Sequence, residues 1–183
     1  MRNVSIPVAL MAVLMLFTSA AFAQISIDVT GGYVIPTGDF ADVSKPGFGI
    51  GGDVFVGIPL FPLEIGGRAS YSYFGAEEDF KDGNTSIIEL SPSVRYVFGP
   101  PLSPVKVFGQ FGVGLYSWSN EFEFKGIGTK AEDDGADFGV SFGAGVKLKL
   151  GPLTGLMAMP MYHIIFTEDE NTTYLSLNAG LVF

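Results

Sequence analysis

Between Phe138 and Leu150 the chain changes character at every residue. Phe138, Val140, Phe142, Ala144, Val146, Leu148 and Leu150 alternate with Gly139, Ser141, Gly143, Gly145, Lys147 and Lys149. A period of two belongs to a β-strand with one oily and one wet face. The last residues repeat it, with Leu175, Leu177, Ala179, Leu181 and Phe183 set against Ser176, Asn178, Gly180 and Val182. Chains patterned in this way fold as sheets, and the remaining question is what lies against each face.

Six further segments carry strand character, which makes eight: residues 25–35, 47–58, 63–74, 85–98, 105–119, 137–150, 153–166 and 173–183. Each is long enough to cross a bilayer when tilted, for which about 9–11 residues suffice. Two segments fit the pattern less well. In 105–119, Val105, Val107, Phe111, Val113 and Leu115 share one parity while Trp118 and, beyond it, Phe122 and Phe124 take the other. A bulge, or a strand that has left the membrane, would account for the change. In 153–166, Leu156, Ala158, Pro160, Tyr162 and Ile164 compete with Met157, Met159, Met161 and Ile165, so the outward face stays open. Pro160 has no N–H for a ladder and suggests a bulge.

The connections alternate between two kinds. Residues 59–62, 99–104 and 151–152 are short and marked by proline, which suits tight turns. Residues 36–46, 75–84, about 120–136 and 167–172 are mostly longer and hold much of the acid, including Asp39, Asp42, Glu77, Glu78, Asp79, Asp134 and Glu170. Brief turns at one end and longer loops at the other are the habit of outer-membrane barrels. The expected fold is therefore all-β: an eight-stranded antiparallel up-and-down transmembrane β-barrel.

Composition narrows the function. Arg2, the apolar stretch Val4–Phe17 and the small-x-small site Ala21-Phe22-Ala23 read as a secretory signal over residues 1–23, which leaves a single domain at 24–183. Without Arg2, nine Lys and Arg stand against 19 Asp and Glu. An acidic surface repels phosphate backbones, so nucleic acid is not an expected partner. There is no cysteine, which excludes disulfides, thiolate metal sites and a Cys nucleophile. No cofactor or metal is expected, because no acidic cluster has the spacing of a calcium loop.

An oily face can point outward to lipid or inward to a ligand, as in a secreted lipocalin-like calyx. The polar set favours lipid outside. It is largely Gly and Ser with a few charges of both signs, namely Asp28, Asp53, Glu64, Arg68, Glu89, Arg95, Lys106, Lys147 and Lys149. Small residues and compensating charges suit a crowded lumen, where eight strands leave just enough room for side chains. The expectation is an ion-pair network that plugs the lumen, with a narrow porin-like channel as the alternative. The aromatics suggest two interfacial girdles, Tyr33, Tyr71, Tyr73, Phe138, Tyr162 and Phe166 near the loops and Phe61, Tyr96, Phe98 and Phe183 near the turns.

The run Gly31-Gly32-Tyr33-Val34-Ile35-Pro36-Thr37-Gly38-Asp39-Phe40 resembles the first strand and loop of the outer-membrane β-barrel-domain family, the OmpA-like and OmpX-like small barrels. Tyr174, Leu175, Leu177, Ala179, Leu181 and Phe183 lie in a segment similar to the C-terminal strand that barrel-assembly machinery recognises. The resemblance spans the mature chain. It implies a monomer in the bacterial outer membrane, with membrane lipid and lipopolysaccharide around it and assembly machinery as a partner during biogenesis. It implies a scaffold with a structural or surface-interaction role and no enzyme activity. The single histidine, His163, is the one obvious general base at neutral pH. The run His163-Ile164-Ile165-Phe166 lacks the His-x-Ser-Asn motif of lipid-A deacylases, so His163 is expected to be a polar interface residue near a strand end.

Overall fold

The alternating segments do form strands, and the strands close on themselves. A computed structural model describes residues 25–76, 82–100, 103–123, 130–151, 153–167 and 170–183. The segment read as a signal, and the acids Glu77, Glu78 and Asp79, lie outside these residues. Among the described residues there are eight strands: β1 (Ile25–Thr37), β2 (Ser44–Gly57), β3 (Leu63–Ala76), β4 (Asp82–Phe98), β5 (Val105–Glu123), β6 (Lys130–Lys149), β7 (Gly155–Phe166) and β8 (Thr172–Val182). A one-turn helix, α1 (Phe40–Val43), sits between β1 and β2. Every strand pairs antiparallel with its neighbour in sequence, and β1 pairs with β8 to complete a closed barrel. Closure leaves no edge, so each backbone N–H and C=O within the wall can find a partner without water. The closing seam runs to the last residue, since Phe183 exchanges both backbone hydrogen bonds with Ile27.

The oily face points outward. Ile25, Ile27, Val29, Ile50, Val54, Ile88, Leu90, Phe111, Leu115, Phe142 and Leu181 are all exposed, while Asp28, Asp53, Arg68, Glu89 and Arg95 are buried inside. A water-soluble calyx requires the reverse, so the lipocalin-like alternative is set aside. Exposed Tyr33, Tyr71, Phe138 and Phe166 ring the loop end, and Phe61, Tyr96, Phe98 and Phe183 ring the turn end.

Three expectations change. The connection expected at 120–136 is mostly strand: β5 and β6 pair without a break from Val105–Leu148 to Glu123–Lys130. The hairpin outruns the girdle because its partner strands satisfy each other's backbone wherever the lipid ends. No bulge separates Leu115 from Trp118, since the pairing of β5 with both neighbours keeps one register. Trp118 is simply an inward position above the apolar belt. In β7 the outward set is Leu156, Ala158, Pro160, Tyr162 and Ile164, and Met157, Met159, Met161 and Ile165 face the lumen. Pro160 causes no bulge: it pairs with Leu177 of β8, and the β6–β7 register is the same on both sides of it. One missing N–H costs a ladder bond, and the flanking pairs hold the strand straight. The irregularity in pairing lies instead in β2, between Lys45 and Phe48, around Pro46.

The glycines of β6 have a packing cause. A Cβ at Gly135 would lie 2.6 Å from the Trp118 ring, at Gly139 2.7 Å from Tyr116, and at Gly145 2.5 Å from Phe108. Three bulky β5 side chains therefore lie across a wall that has no side chains beneath them.

Candidate functional site

The lumen of a barrel this narrow is filled by whatever its inward positions supply, and here they supply three layers. Nearest the turns, Phe108, Met157, Met159 and Met161 form an apolar cluster with Val97 and Val182 against it. Nearest the loops, Val34, Phe74, Ile87, Tyr116, Ile165 and Tyr174 form a second, with Phe40 and Trp118 above it. Charged side chains span the lumen alongside and between these clusters.

Arg95 of β4 organises the half nearer the turns. Its Nη1 lies 2.7 Å from Asp28 Oδ2 and 3.3 Å from Glu64 Oε2. Its Nε and Nη2 donate to Gln110 Oε1 at 3.1 and 2.8 Å. The guanidinium lies over the Phe55 ring at 3.9 Å and the Phe108 ring at 4.6 Å. Lys147 joins from β6, donating to Ser26 Oγ at 3.1 Å with Asp28 at 3.4 Å and Glu64 at 3.8 Å. The planar fork explains why arginine occupies the centre: it can satisfy two carboxylates and an amide while stacking on aromatic faces.

Arg68 of β3 and Glu89 of β4 organise the half nearer the loops. Arg68 Nη1 donates to Asp53 Oδ2 at 2.8 Å, and its Nε lies 3.4 Å from Glu89 Oε2. Glu89 is fully buried and accepts hydrogen bonds from Ser70, Ser91, Ser141 and Tyr116 at 2.7–3.1 Å. Gln110 links the halves, since its Nε2 donates to Asp53 Oδ1 at 3.1 Å while its Oε1 accepts from Arg95. In this described network four carboxylates (Asp28, Asp53, Glu64, Glu89) meet three cations (Arg68, Arg95, Lys147). Burial of charge at this depth is tolerable only because each carboxylate has a cation or several donors within reach.

The structure thus brings Asp28, Asp53, Glu64, Arg68, Glu89, Arg95 and Lys147 together. It does not bring in Lys106 and Lys149. Both have inward parity, but they stand at the turn-end limit of β5 and β6, half-buried and exposed respectively, and neither pairs with a carboxylate among the described residues. Water reaches the barrel rim there, so no partner is demanded. Of the C-terminal set, Leu177, Ala179, Leu181 and Phe183 are exposed on the outer face and Leu175 is half-buried, whereas Tyr174 points inward and is fully buried.

His163 is not at the interface. It is buried in the lumen, stacked on Tyr174 with ring centroids 4.2 Å apart and planes 5° from parallel. Its Nε2 is 2.9 Å from Ser176 Oγ, and its Nδ1 is 3.4 Å from Tyr116 Oη and 3.6 Å from Glu89 Oε2. Serine, histidine and glutamate in this order imitate a nucleophile, base and orienting acid. The imitation fails on two counts. The Glu89 contact exceeds hydrogen-bond length, and all three side chains are nearly inaccessible beneath the loop-end apolar cluster. The arrangement is a hydrogen-bonded strut. Sequence reasoning misplaces His163 and misses Gln110, Tyr116 and Ser176, although strict parity counting finds every one on the inner face. Among the described residues no group of His, Asp and Glu is placed to hold a metal ion.

A closed, eight-stranded barrel with an apolar belt, two aromatic girdles and a charge-filled interior defines an integral membrane barrel of the outer-membrane type. Residues 9–183 match the model of the outer membrane protein beta-barrel domain, and the chain belongs to that family. The family places the protein in the bacterial outer membrane, in contact with its lipid. No curated protein matches the chain in sequence. Among solved structures, the fold is similar to Neisserial surface protein A, at 17% identity and a TM-score of 0.63, covering 87% of this chain and 97% of that one. It is also similar to a major outer membrane protein from Thermus thermophilus, at 15% identity and a TM-score of 0.68, covering 88% and 98%. A third likeness is the N-terminal β-barrel domain of Pseudomonas aeruginosa OprF, at 17% identity and a TM-score of 0.50, covering 88% and 99%. At these identities the likeness is one of fold.

Proposed function

We propose that the protein is a non-conducting, non-catalytic barrel that acts as a structural or surface-interaction component of the outer membrane. The observation that carries this reading is the filled lumen. Apolar clusters lie toward both ends, Arg95 reaches Asp28 and Gln110 reaches Asp53 across the lumen, and the Arg95–Asp28 and Arg68–Asp53 pairs are at most 2% exposed. An aqueous pore needs hydrated charges, and these are dry and paired. Burial of Ser176, His163 and Glu89 supports the absence of turnover, since no substrate carbonyl could reach the serine.

The same reading includes export by a cleaved signal at residues 1–23 and a mature domain at 24–183. It takes the outward row Leu175, Leu177, Ala179, Leu181 and Phe183, with Tyr174, as the signal read by barrel-assembly machinery. Loops at the far end, with exposed Asp39 and Asp42 on the first of them, would meet lipopolysaccharide and the cell exterior. Planar-bilayer recording of the purified, refolded protein tests the central claim. Silence at applied voltage is expected, and sustained unitary steps would establish the narrow channel in its place.

A further inference from the structure

Above the loop-end apolar cluster lies a cavity of about 240 Å³, lined by Phe40, Val43, Thr85, Ile87, Trp118, Asn120, Ile165, Thr167 and Thr172. We propose that this cavity is a binding site for a small neutral amphiphile, a single ring or short chain bearing one hydroxyl or carbonyl group. Five features fix that class.

The floor is closed and apolar. Ile87 and Ile165 are almost fully buried and belong to the cluster below, so a ligand can enter from the loop side and stop. The walls are two aromatic side chains already held in place. Phe40 packs edge-on against Phe74 with centroids 5.0 Å apart, and Trp118 donates its indole N–H to Asp137 Oδ2 at 2.7 Å. With its one polar atom engaged, Trp118 presents only hydrocarbon to the cavity. Polar groups are few: Thr85 donates to Asn120 Oδ1 at 2.7 Å, which leaves the Asn120 amide NH₂ as a donor on the β4–β5 wall, and Thr172 of β8 adds a hydroxyl from another wall. Such a pocket, mostly apolar with a few convergent polar groups, is the usual form of a small-molecule site.

Charge and size complete the assignment. All nine lining residues are uncharged, and acids flank the cavity, Asp137 behind Trp118 and Asp39 and Asp42 beside Phe40. An anionic lipid or fatty carboxylate is disfavoured there. A cavity of about 150 Å³ holds benzene, so this one admits roughly ten non-hydrogen atoms. The proposal goes beyond the structural role above. Occupancy of the mouth and conduction through the lumen are read by different experiments, so either claim can fail alone.

Trp118 is the chain's sole tryptophan and therefore a built-in reporter. The full protein, in phosphatidylcholine nanodiscs, is titrated with menthol, which is neutral and transparent at the excitation wavelength. A saturable change in Trp118 emission is expected, weakened at least about tenfold in Val43→Arg, whose new charge at a half-exposed wall position would need the water the ligand displaces. Heat-dependent gel mobility verifies that the variant is folded. If it is not, Thr172→Arg at the polar rim takes its place with the same expectation. Trp118→Phe/Phe142→Trp moves the reporter to the lipid face and should show only linear partitioning. A linear response from Trp118 itself, or saturation at the same concentration with and without the arginine, overturns the proposal.

Discussion

Replacing Arg95 with methionine keeps much of the aliphatic stem and deletes the central cation of the lumen. Asp28, which is fully buried, would keep Lys147 at 3.4 Å as its one cation beside the Ser26 hydroxyl at 2.8 Å, Glu64 would keep Lys147 at 3.8 Å as its one cation, and Gln110 Oε1 would lose both of its donors. Breaking a buried pair by removing one partner typically costs about 3–5 kcal/mol, because the remaining charge stays buried and uncompensated. Loss of the guanidinium from between Phe55 and Phe108 adds about 1–2 kcal/mol at most. The expected loss for Arg95→Met is therefore about 4 kcal/mol. Asp28→Asn on the same background removes the stranded carboxylate and should recover about 2 kcal/mol. Urea titration of the refolded barrel in short-chain lipid vesicles, read by Trp118 emission and gel mobility, supplies all four corners of the cycle. A cost under about 1 kcal/mol for Arg95→Met, or a double variant no more stable than the single one, would mean that the network does not bear on stability and that the lumen is hydrated.

Val140→Arg should impair insertion by about 2–4 kcal/mol, as for a cation on the lipid face near mid-bilayer, and normal assembly into vesicles would contradict the outward parity of β6. Gly145→Ala should cost about 1–3 kcal/mol by urea titration, since the new Cβ would meet the Phe108 ring at 2.5 Å and the Ala158 carbonyl oxygen at 2.6 Å. Gly31→Ala, where the nearest atom is 3.8 Å away, is the matched control and should be neutral. Leu60 sits in the β2–β3 turn at a φ of +70°, a conformation that suits glycine. Leu60→Gly should leave the urea midpoint unchanged or raise it slightly, and a clear decrease would show that the Leu60 side chain has a stabilising role in the turn.

How much could be read in advance differs from strand to strand. In β1 to β4 and β8 one parity is almost wholly apolar and the other mostly polar, and the structure places Ile27, Ile50, Ile65, Ile88 and Leu181 outside accordingly, with Val34, Phe55, Phe74, Ile87 and Tyr174 as the apolar residues of the inner face. In β7 both parities are apolar, since Met157 and Met159 fill the lumen while Leu156 and Ala158 face lipid. Hydrophobicity alone cannot separate lipid from a dry core, because both exclude water. The same blindness affects Trp118, an aromatic that faces inward above the belt.

Sequence by itself therefore determined the sheet, its strand count and, in the strands with one apolar parity, the side turned to hydrocarbon, because a period of two leaves such a strand one way to satisfy both its faces. Only the tertiary structure decided which charges meet. Asp28 comes to Arg95 from a strand 67 positions away in the chain, Lys147 meets Asp28 and Glu64 from β6, and barrel closure sets those distances, whereas Glu64 and Gln110 stand opposite Arg95 on the neighbouring strands. It also decided that His163 is enclosed and that a cavity stands open above it, since both depend on how side chains from opposite walls share a lumen barely wide enough to hold them.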